Sequence, residues 1–289
     1  MGRRPPSTHG LAVVDKPSGV TSHDVVAMLR RRFGERQVGH AGTLDPDATG
    51  VLLVGVGRCT RLLRFLTDLG KSYTGQVVFG STTDSLDSTG VVTANFDMSG
   101  LTAQQVQSAI ATHLTGAILQ VPPMVSAVRV DGRRLHELAR EGVEVEREPR
   151  PVTVYAFAAA ATADPMVYDI EVRCSKGTYV RTLADDLGRL CGGGAHLHAL
   201  RRVAVGGFTV AEAAPPDTVT LLSLREAVRD YPAVTVGPDV AAQVANGRVL
   251  PAFPGAGPWA VLDEAGVLLA MYEAAGGDRA KPAVVIPHD

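Results

Sequence analysis

At 289 residues, with 45% hydrophobic and 20% charged side chains and a net charge of −2, the chain can bury a sizeable core and is not a disordered polymer. No apolar run is long enough to span a bilayer, and the opening MGRRPPSTHG has two arginines but no apolar segment of the signal-peptide kind. Cys59, Cys174 and Cys191 are odd in number and lack metal-ligand spacing, which argues against a disulfide framework and for a reducing, cytoplasmic setting.

In chain order, Leu11–Val14 reads as a short strand ending in the turn composition Asp15-Lys16-Pro17-Ser18-Gly19. Thr21 or Ser22 can cap a helix whose apolar positions Val25, Val26, Leu29 and Phe33 recur at helical spacing, with Asp24 in its first turn and Arg30 to Arg32 near its last. Gly39 to Gly50 reads as a loop, Val51–Val56 as a buried strand and Thr60–Leu66 as a short helix. Tyr73–Phe79 alternates like a strand, Ser81 to Gly90 is turn-rich, and Thr102–Leu114 is helical. Pro122-Pro123 breaks the chain, Arg133–Arg140 reads as another helix, and Val152–Ala161 and Met166–Cys174 as paired strands. Gly177–Leu190 turns into a helix that Gly192 to Gly194 ends. After Tyr231-Pro232 come short β-like runs at Val234–Val236, Trp259–Leu262, Val267–Tyr272 and Ala283–Ile286, with Asp263 to Gly266 as a hairpin turn. The pattern predicts an α+β domain with a small β-rich appendage.

Charge is uneven along this plan. Residues 1–64 hold ten Lys/Arg against five Asp/Glu, and residues 211–289 hold five against ten. Such asymmetry can mark a side that faces a polyanion, although on charge alone chance scatter explains it equally well.

The chemistry-bearing stretch is GHAGTLDPDATG, residues 39–50, and it admits three readings. Asp45-x-Asp47-x-Thr49 suggests an aspartyl-phosphate nucleophile, but there the buried strand should precede the pattern, and here Val51–Val56 follows it. A phosphate cradle needs Gly-Lys-Ser/Thr, and no lysine lies between Lys16 and Lys71. The third reading is a single carboxylate acting as nucleophile or base, which stays ionised in a closed pocket only beside a cation. Tyr179-Val180-Arg181 offers an arginine for that role, with an aromatic two residues before it, at a strand-to-helix junction.

Taken together, the ordered segments resemble the TruB family of bacterial tRNA pseudouridine synthases. They are Lys16 to Ser22, Val38 to Gly50, Lys71-Ser72-Tyr73, Gly80 to Gly90, Pro122 to Ala127, Lys176 to Arg181, and Leu200-Arg201-Arg202. The resemblance covers most of residues 11–205, and the aspartate loop and the Tyr-x-Arg segment are its most specific parts. It implies a pseudouridine synthase fold: α+β, with a mixed, largely antiparallel central sheet. Residues 1–230 would form the catalytic domain, with an RNA-contacting insert near 120–150, and residues 231–289 a small PUA-like β-rich domain.

For the site, the resemblance makes Asp45 the catalytic aspartate, pairs it with Arg181, and puts Tyr73 against the target base. It assigns His40, Tyr179, Leu200, Lys16, Pro17 and Asp87 to substrate binding: His40 holding the T-loop, Tyr179 as a pocket wall, the Leu200 backbone at the uracil edge, and Lys16 and Pro17 under the pocket. The implied reaction is isomerisation of uridine 55 in the tRNA T-loop, on a flipped-out base, with no metal and no cofactor. The implied partner is the tRNA T-arm, with no membrane and no obligatory protein partner; a monomer is expected. A non-catalytic RNA chaperone and a guide-RNA-dependent relative are the rival classes. The joint presence of Asp45, Tyr73 and Arg181 speaks against the first, and the lack of basic tails against the second. Val125 and His136 stand where the family has tyrosine, and Ser85 where threonine is commoner. Asp47 reads as turn chemistry, and Arg30 to Arg32 as a solvated helix end.

Overall fold

The computed structural model describes residues 8–126, 129–130, 133–134, 141, 143 and 145–287. The chain forms two compact units, one from the segment up to Leu69 together with Val205 onward, the other from Gly70–Ala204.

In the first unit, β1 (Gly10–Lys16) is followed by α1 (Ser22–Phe33), β2 (Val38–Ala41) and β3 (Thr49–Val56). β3 pairs antiparallel with β1 along the whole of β1, from Gly10 opposite Val56 to Lys16 opposite Gly50. Their near-continuous apolar runs follow from burial on both faces. Leu11, Val13, Val51 and Leu53 enter a core with Phe65 and Phe208, whereas Ala12, Val14, Leu52 and Val54 enter a second core with Val25, Val26 and Leu29 of α1. α1 starts at a capping box, with Thr21 accepting from the Asp24 amide and Asp24 returning a bond to Thr21, and ends at Gly34 in the left-handed region (φ 61°). A 3₁₀ turn, Gly57–Leu62, leads into α2 (Leu63–Asp68). Gly57 has φ +59°, and a Cβ there would lie 2.1 Å from the Thr8 carbonyl oxygen, so the position requires glycine.

The expected loop from Gly39 to Gly50 needs correction. Val38–Ala41 is strand β2, with His40 opposite Val54. Four residues, one of them glycine and one histidine, carry no alternation that a sequence pattern can detect. The ladder to β3 supplies the order instead.

The second unit contains β4 (Lys71–Phe79), the hairpin of β5 (Ser81–Thr83) and β6 (Val92–Asn95), α3 (Ala103–His113) and β7 (Gly116–Gln120). After the two-residue strands β8 (Arg129–Val130) and β9 (Arg133–Arg134) come β10 (Arg150–Ala161), β11 (Val167–Cys174), α4 (Val180–Leu190) and β12 (Ala195–Val205). The strand order is β12-β4-β11-β10-β7, and the β4–β11, β11–β10 and β10–β7 pairings are antiparallel. Gly75 of β4 lets a neighbour close in, since a Cβ there would lie 2.3 Å from the Ala199 carbonyl oxygen. The α3 and α4 helices cover this sheet with Val106, Ile110, Leu183 and Leu187 in its core.

The helix expected over Arg133–Arg140 is not formed at its start: Arg133–Arg134 pair with Arg129–Val130, and residues 135–140 lie outside the described residues. Of the insert expected near 120–150, residues 127–128, 131–132, 142 and 144 lie outside the described residues as well.

The chain then returns to the first unit through β13 (Phe208–Thr209), β14 (Leu221–Leu222), which pairs with β1, and α5 (Leu224–Ala227). The terminal β-rich segment holds β15 (Ala233–Thr235), α6 (Pro238–Ala245), β16 (Leu250–Pro251), β17 (Trp259–Leu262), β18 (Leu268–Ala274) and β19 (Arg279–Val285). Their order is β15-β17-β18-β19-β16, with β15 parallel to β17. Trp259, Tyr272 and Phe253 stack edge to face at its centre. Among the described residues no helix is long and apolar enough to cross a membrane.

Thr21→Ala removes one side of the α1 capping box and should cost about 1 kcal/mol. A lowered urea midpoint with an unchanged slope is expected, and Thr21→Ser should restore most of the loss.

Candidate active site

The proposed nucleophile Asp45 is partly buried and Asp47 exposed, in a loop between β2 and β3. The backbone on either side of Asp45 is gripped from the β1–α1 turn. On one side the Ser22 hydroxyl, buried, accepts the Leu44 N–H at 2.9 Å and donates to the Leu44 carbonyl at 3.1 Å. On the other the fully buried Lys16 ammonium donates to the Pro46 carbonyl at 2.8 Å, as well as to Pro17 at 2.8 Å and Val20 at 2.7 Å. Three N–H donors meet three carbonyls, which is what allows a cation to lie out of water here. The Gly19 N–H reaches the Pro46 carbonyl too, at 3.1 Å. Lys16 is positioned for this because β1 and β3 place it opposite Gly50, where the loop re-enters the sheet. Pro17 is exposed, and its role is that of a carbonyl acceptor. His40 rises from β2 with its ring edge-on to His23, centroids 5.3 Å apart. Sequence reasoning missed Ser22, for it could serve equally as helix cap. Thr21 takes the cap, which leaves the Ser22 hydroxyl for Leu44.

The second unit carries the other candidates. Arg181 lies in the first turn of α4, 4% exposed, with Nη1 donating to the Ser85 carbonyl at 2.9 Å and Nη2 to Val125 at 2.8 Å. Its Nη1 is 3.6 Å from Asp87 Oδ2. Asp87 is fixed in turn: its Oδ1 accepts from the Ser85 hydroxyl at 2.7 Å, the Thr89 hydroxyl at 2.6 Å and the Thr89 N–H at 3.1 Å. Serine at position 85 thus keeps the hydroxyl that threonine would offer. Leu86 between them is held at φ 63° with its carbonyl accepting the Leu197 N–H at 3.1 Å, a conformation a branched side chain adopts only where its surroundings compel it. Tyr73 on β4 and Leu200 on β12 are partly buried and pack on the same core. Tyr179 is the N-cap residue of α4.

Beside α4 lies a cavity of about 400 Å³ whose lining includes Leu119, Pro122, Met124, Thr182 and Asp186. Burial and the adjacent Asp185 carboxylate push the Asp186 carboxyl up to about 6, against the pull of Arg189. Burial raises the Cys59 thiol to about 12, consistent with a core residue. Among the described residues no cluster of three His, Cys, Asp or Glu could hold a metal ion.

The fold is shared with chains in two solved structures. It aligns with a chain in a crystal structure of a Cbf5–Nop10–Gar1 complex at TM-score 0.74 and 23% identity, covering 96% of this chain and 85% of that one. A chain in a structure of an H/ACA RNP bound to a substrate RNA containing 2'-deoxyuridine aligns at TM-score 0.71 and 21% identity, with 96% and 85% covered. The class is therefore the α+β fold of those two chains, a large sheet flanked by helices with a C-terminal β-rich module.

Residues 30–180 match the TruB family pseudouridylate synthase N-terminal domain, and residues 181–233 the tRNA pseudouridylate synthase B C-terminal domain. The protein named tRNA pseudouridine synthase B in Rhodococcus jostii is 44% identical over 96% of this chain and 94% of its own length. Its namesake in Symbiobacterium thermophilum is 49% identical over 80% of each. The chain belongs to the TruB family of pseudouridylate synthases, which are isomerases.

Ser22→Ala strips both partners from the Leu44 backbone and should destabilise the protein by about 1–3 kcal/mol in urea denaturation. For Asp186 the sign follows from its raised carboxyl. The folded state holds the proton more tightly than the unfolded chain, so this contribution is full below pH 3.8 and lost as pH rises through about 6. Asp186→Asn should gain stability relative to wild type between those limits; equal pH dependence of the two would refute the assignment.

Proposed function

We propose that this protein isomerises uridine 55 in the T-loop of tRNA to pseudouridine, with Asp45 as the catalytic carboxylate. The observation that carries this reading is a partly buried aspartate whose two neighbours are both pinned by buried polar side chains, on a chain of the TruB family. Pinning matters because a catalytic group must be held within a fraction of an ångström of its working position. The named relatives, tRNA pseudouridine synthases B, support tRNA as the RNA.

The reaction breaks the N1–C1′ glycosidic bond, turns the base, joins C5 to C1′, and moves the C5 proton, so substrate and product are isomers and no redox partner is consumed. Asp45 either adds to the uracil ring or takes a proton from the sugar. Arg181 is proposed as the cation that keeps Asp45 ionised, with Asp87 fixing Arg181 in turn. Tyr73 stacks on the flipped base and recovers part of the few kcal/mol lost on unstacking. Tyr179 and the Leu200 backbone complete the pocket, and His40 steadies the T-loop; Lys16 and Pro17 support the aspartate loop from below. Residues 1–230 act as the catalytic domain and 231–289 as a PUA-like module, in a cytoplasmic monomer that works without a protein partner.

Incubation of a T-arm stem-loop with wild type, followed by pseudouridine mapping, should show a single modified uridine without added cofactor. Asp45→Asn should lower the rate by at least about 10⁴-fold, as loss of a covalent or proton-transfer group does. Product formed equally by the variant would sink the assignment.

A further inference from the structure

Gln120 ends β7 at 2% exposure, and its carboxamide meets both backbone groups of one residue. Its Oε1 accepts the Tyr179 N–H at 2.8 Å, and its Nε2 donates to the Tyr179 carbonyl at 3.0 Å. A side-chain amide used this way replaces a neighbouring strand at a place where the strand has ended. Tyr179 is the residue where α4 begins, with φ −102° and ψ 110° and no side-chain cap of its own. Its carbonyl also accepts the first helical bond, from the Leu183 N–H at 3.2 Å.

The grip therefore falls where the start and phase of the helix are set. Each residue of helix turns the side-chain direction by roughly 100°, so a slip at the first turn would redirect everything after it. Two residues on is Arg181, whose guanidinium reaches the Ser85 and Val125 carbonyls and approaches Asp87. The segment that carries Gln120 stays with this turn: Thr182 Oγ1 lies 3.5 Å from the Val121 carbonyl, and Val125 is itself an Arg181 acceptor.

We propose that Gln120 is a positioning residue of the reaction: by holding both backbone groups of Tyr179 it fixes the phase of α4 and so aims the Tyr179 ring and the Arg181 guanidinium. The proposal rests on the functional reading above and adds to it a residue that touches neither substrate nor nucleophile. The chemistry singles out glutamine. Asparagine is one methylene short, leucine has the bulk but neither polar group, and ionised glutamate would set an oxygen against the Tyr179 carbonyl. Only protonated glutamate again offers one acceptor and one donor.

The test is turnover of a T-arm stem-loop by wild type, Gln120→Leu and Gln120→Glu, with kcat and KM separated and measured from about pH 5 to about pH 8, a range in which a buried glutamate can titrate. Gln120→Leu should lose kcat by roughly 10- to 100-fold, with a smaller rise in KM from the displaced Tyr179 ring, the scale of a small misplacement of a working group. Gln120→Glu should match Gln120→Leu at the alkaline end and recover towards wild type as pH falls. Wild-type kcat in Gln120→Leu would overturn the proposal, and so would equal impairment of both variants at every pH. The Tyr179 amide should exchange with deuterium faster in Gln120→Leu, and unchanged exchange also overturns it. A wild type that forms no pseudouridine removes the functional reading and this proposal with it. That result is told apart from failure of the proposal alone by the wild-type lane.

Discussion

Burial of one cation organises the first unit. An ammonium taken wholly out of water has to find acceptors for its three N–H groups, and Lys16 finds them in the carbonyls of Pro17, Val20 and Pro46. Those three belong to the turn after β1 and to the loop after Asp45, so satisfying the charge forces the two segments together. The β1–β3 ladder brings Lys16 opposite Gly50, and α1 follows from the same turn, capped by Thr21. Without the ladder the charge would lie elsewhere. The charge shares the loop with two further holds, the Ser22 hydroxyl on Leu44 and the Gly19 N–H on the Pro46 carbonyl.

The same economy recurs in the second unit. Ser22 grips Leu44 through both backbone groups, and Gln120 grips Tyr179 in the same manner, each close to a residue of the proposed site. Backbone grips suit such places because they fix position without occupying the space a substrate must enter. Arg181 extends the logic by spreading its fork over two carbonyls and the vicinity of Asp87, which holds the guanidinium plane as well as its charge.

The strong periodic signals were legible in the sequence. The α1, α3 and α4 helices, and strands β1, β3, β4, β10 and β11, fall where apolar spacing, caps and glycines put them. β2 was not legible, because Val-Gly-His-Ala has no period and only the ladder to β3 makes it a strand. Arg133 and Arg134 were not legible as a strand, because a two-residue strand has no period and only its pairing with Arg129 and Val130 defines it. Site residue types were legible as candidates, but Ser22 and Gln120 were not, since nothing local distinguishes a serine that grips a distant backbone from one that caps its own helix.

By itself the sequence determined which residues could do chemistry, Asp45, Tyr73, Arg181 and Tyr179 among them, and the family to which their ordered segments point. It also determined the two-faced burial of β1 and β3, because an uninterrupted apolar run leaves no face for water. Tertiary structure alone decided how the aspartate loop is held, which carbonyls accept the N–H groups of Lys16, and that Asp87 lies beside Arg181. These are contacts between residues as much as 96 positions apart, as for Arg181 and Ser85. Hydrogen-bond partners at such separations are chosen by strand register and helix phase, which a linear pattern does not encode.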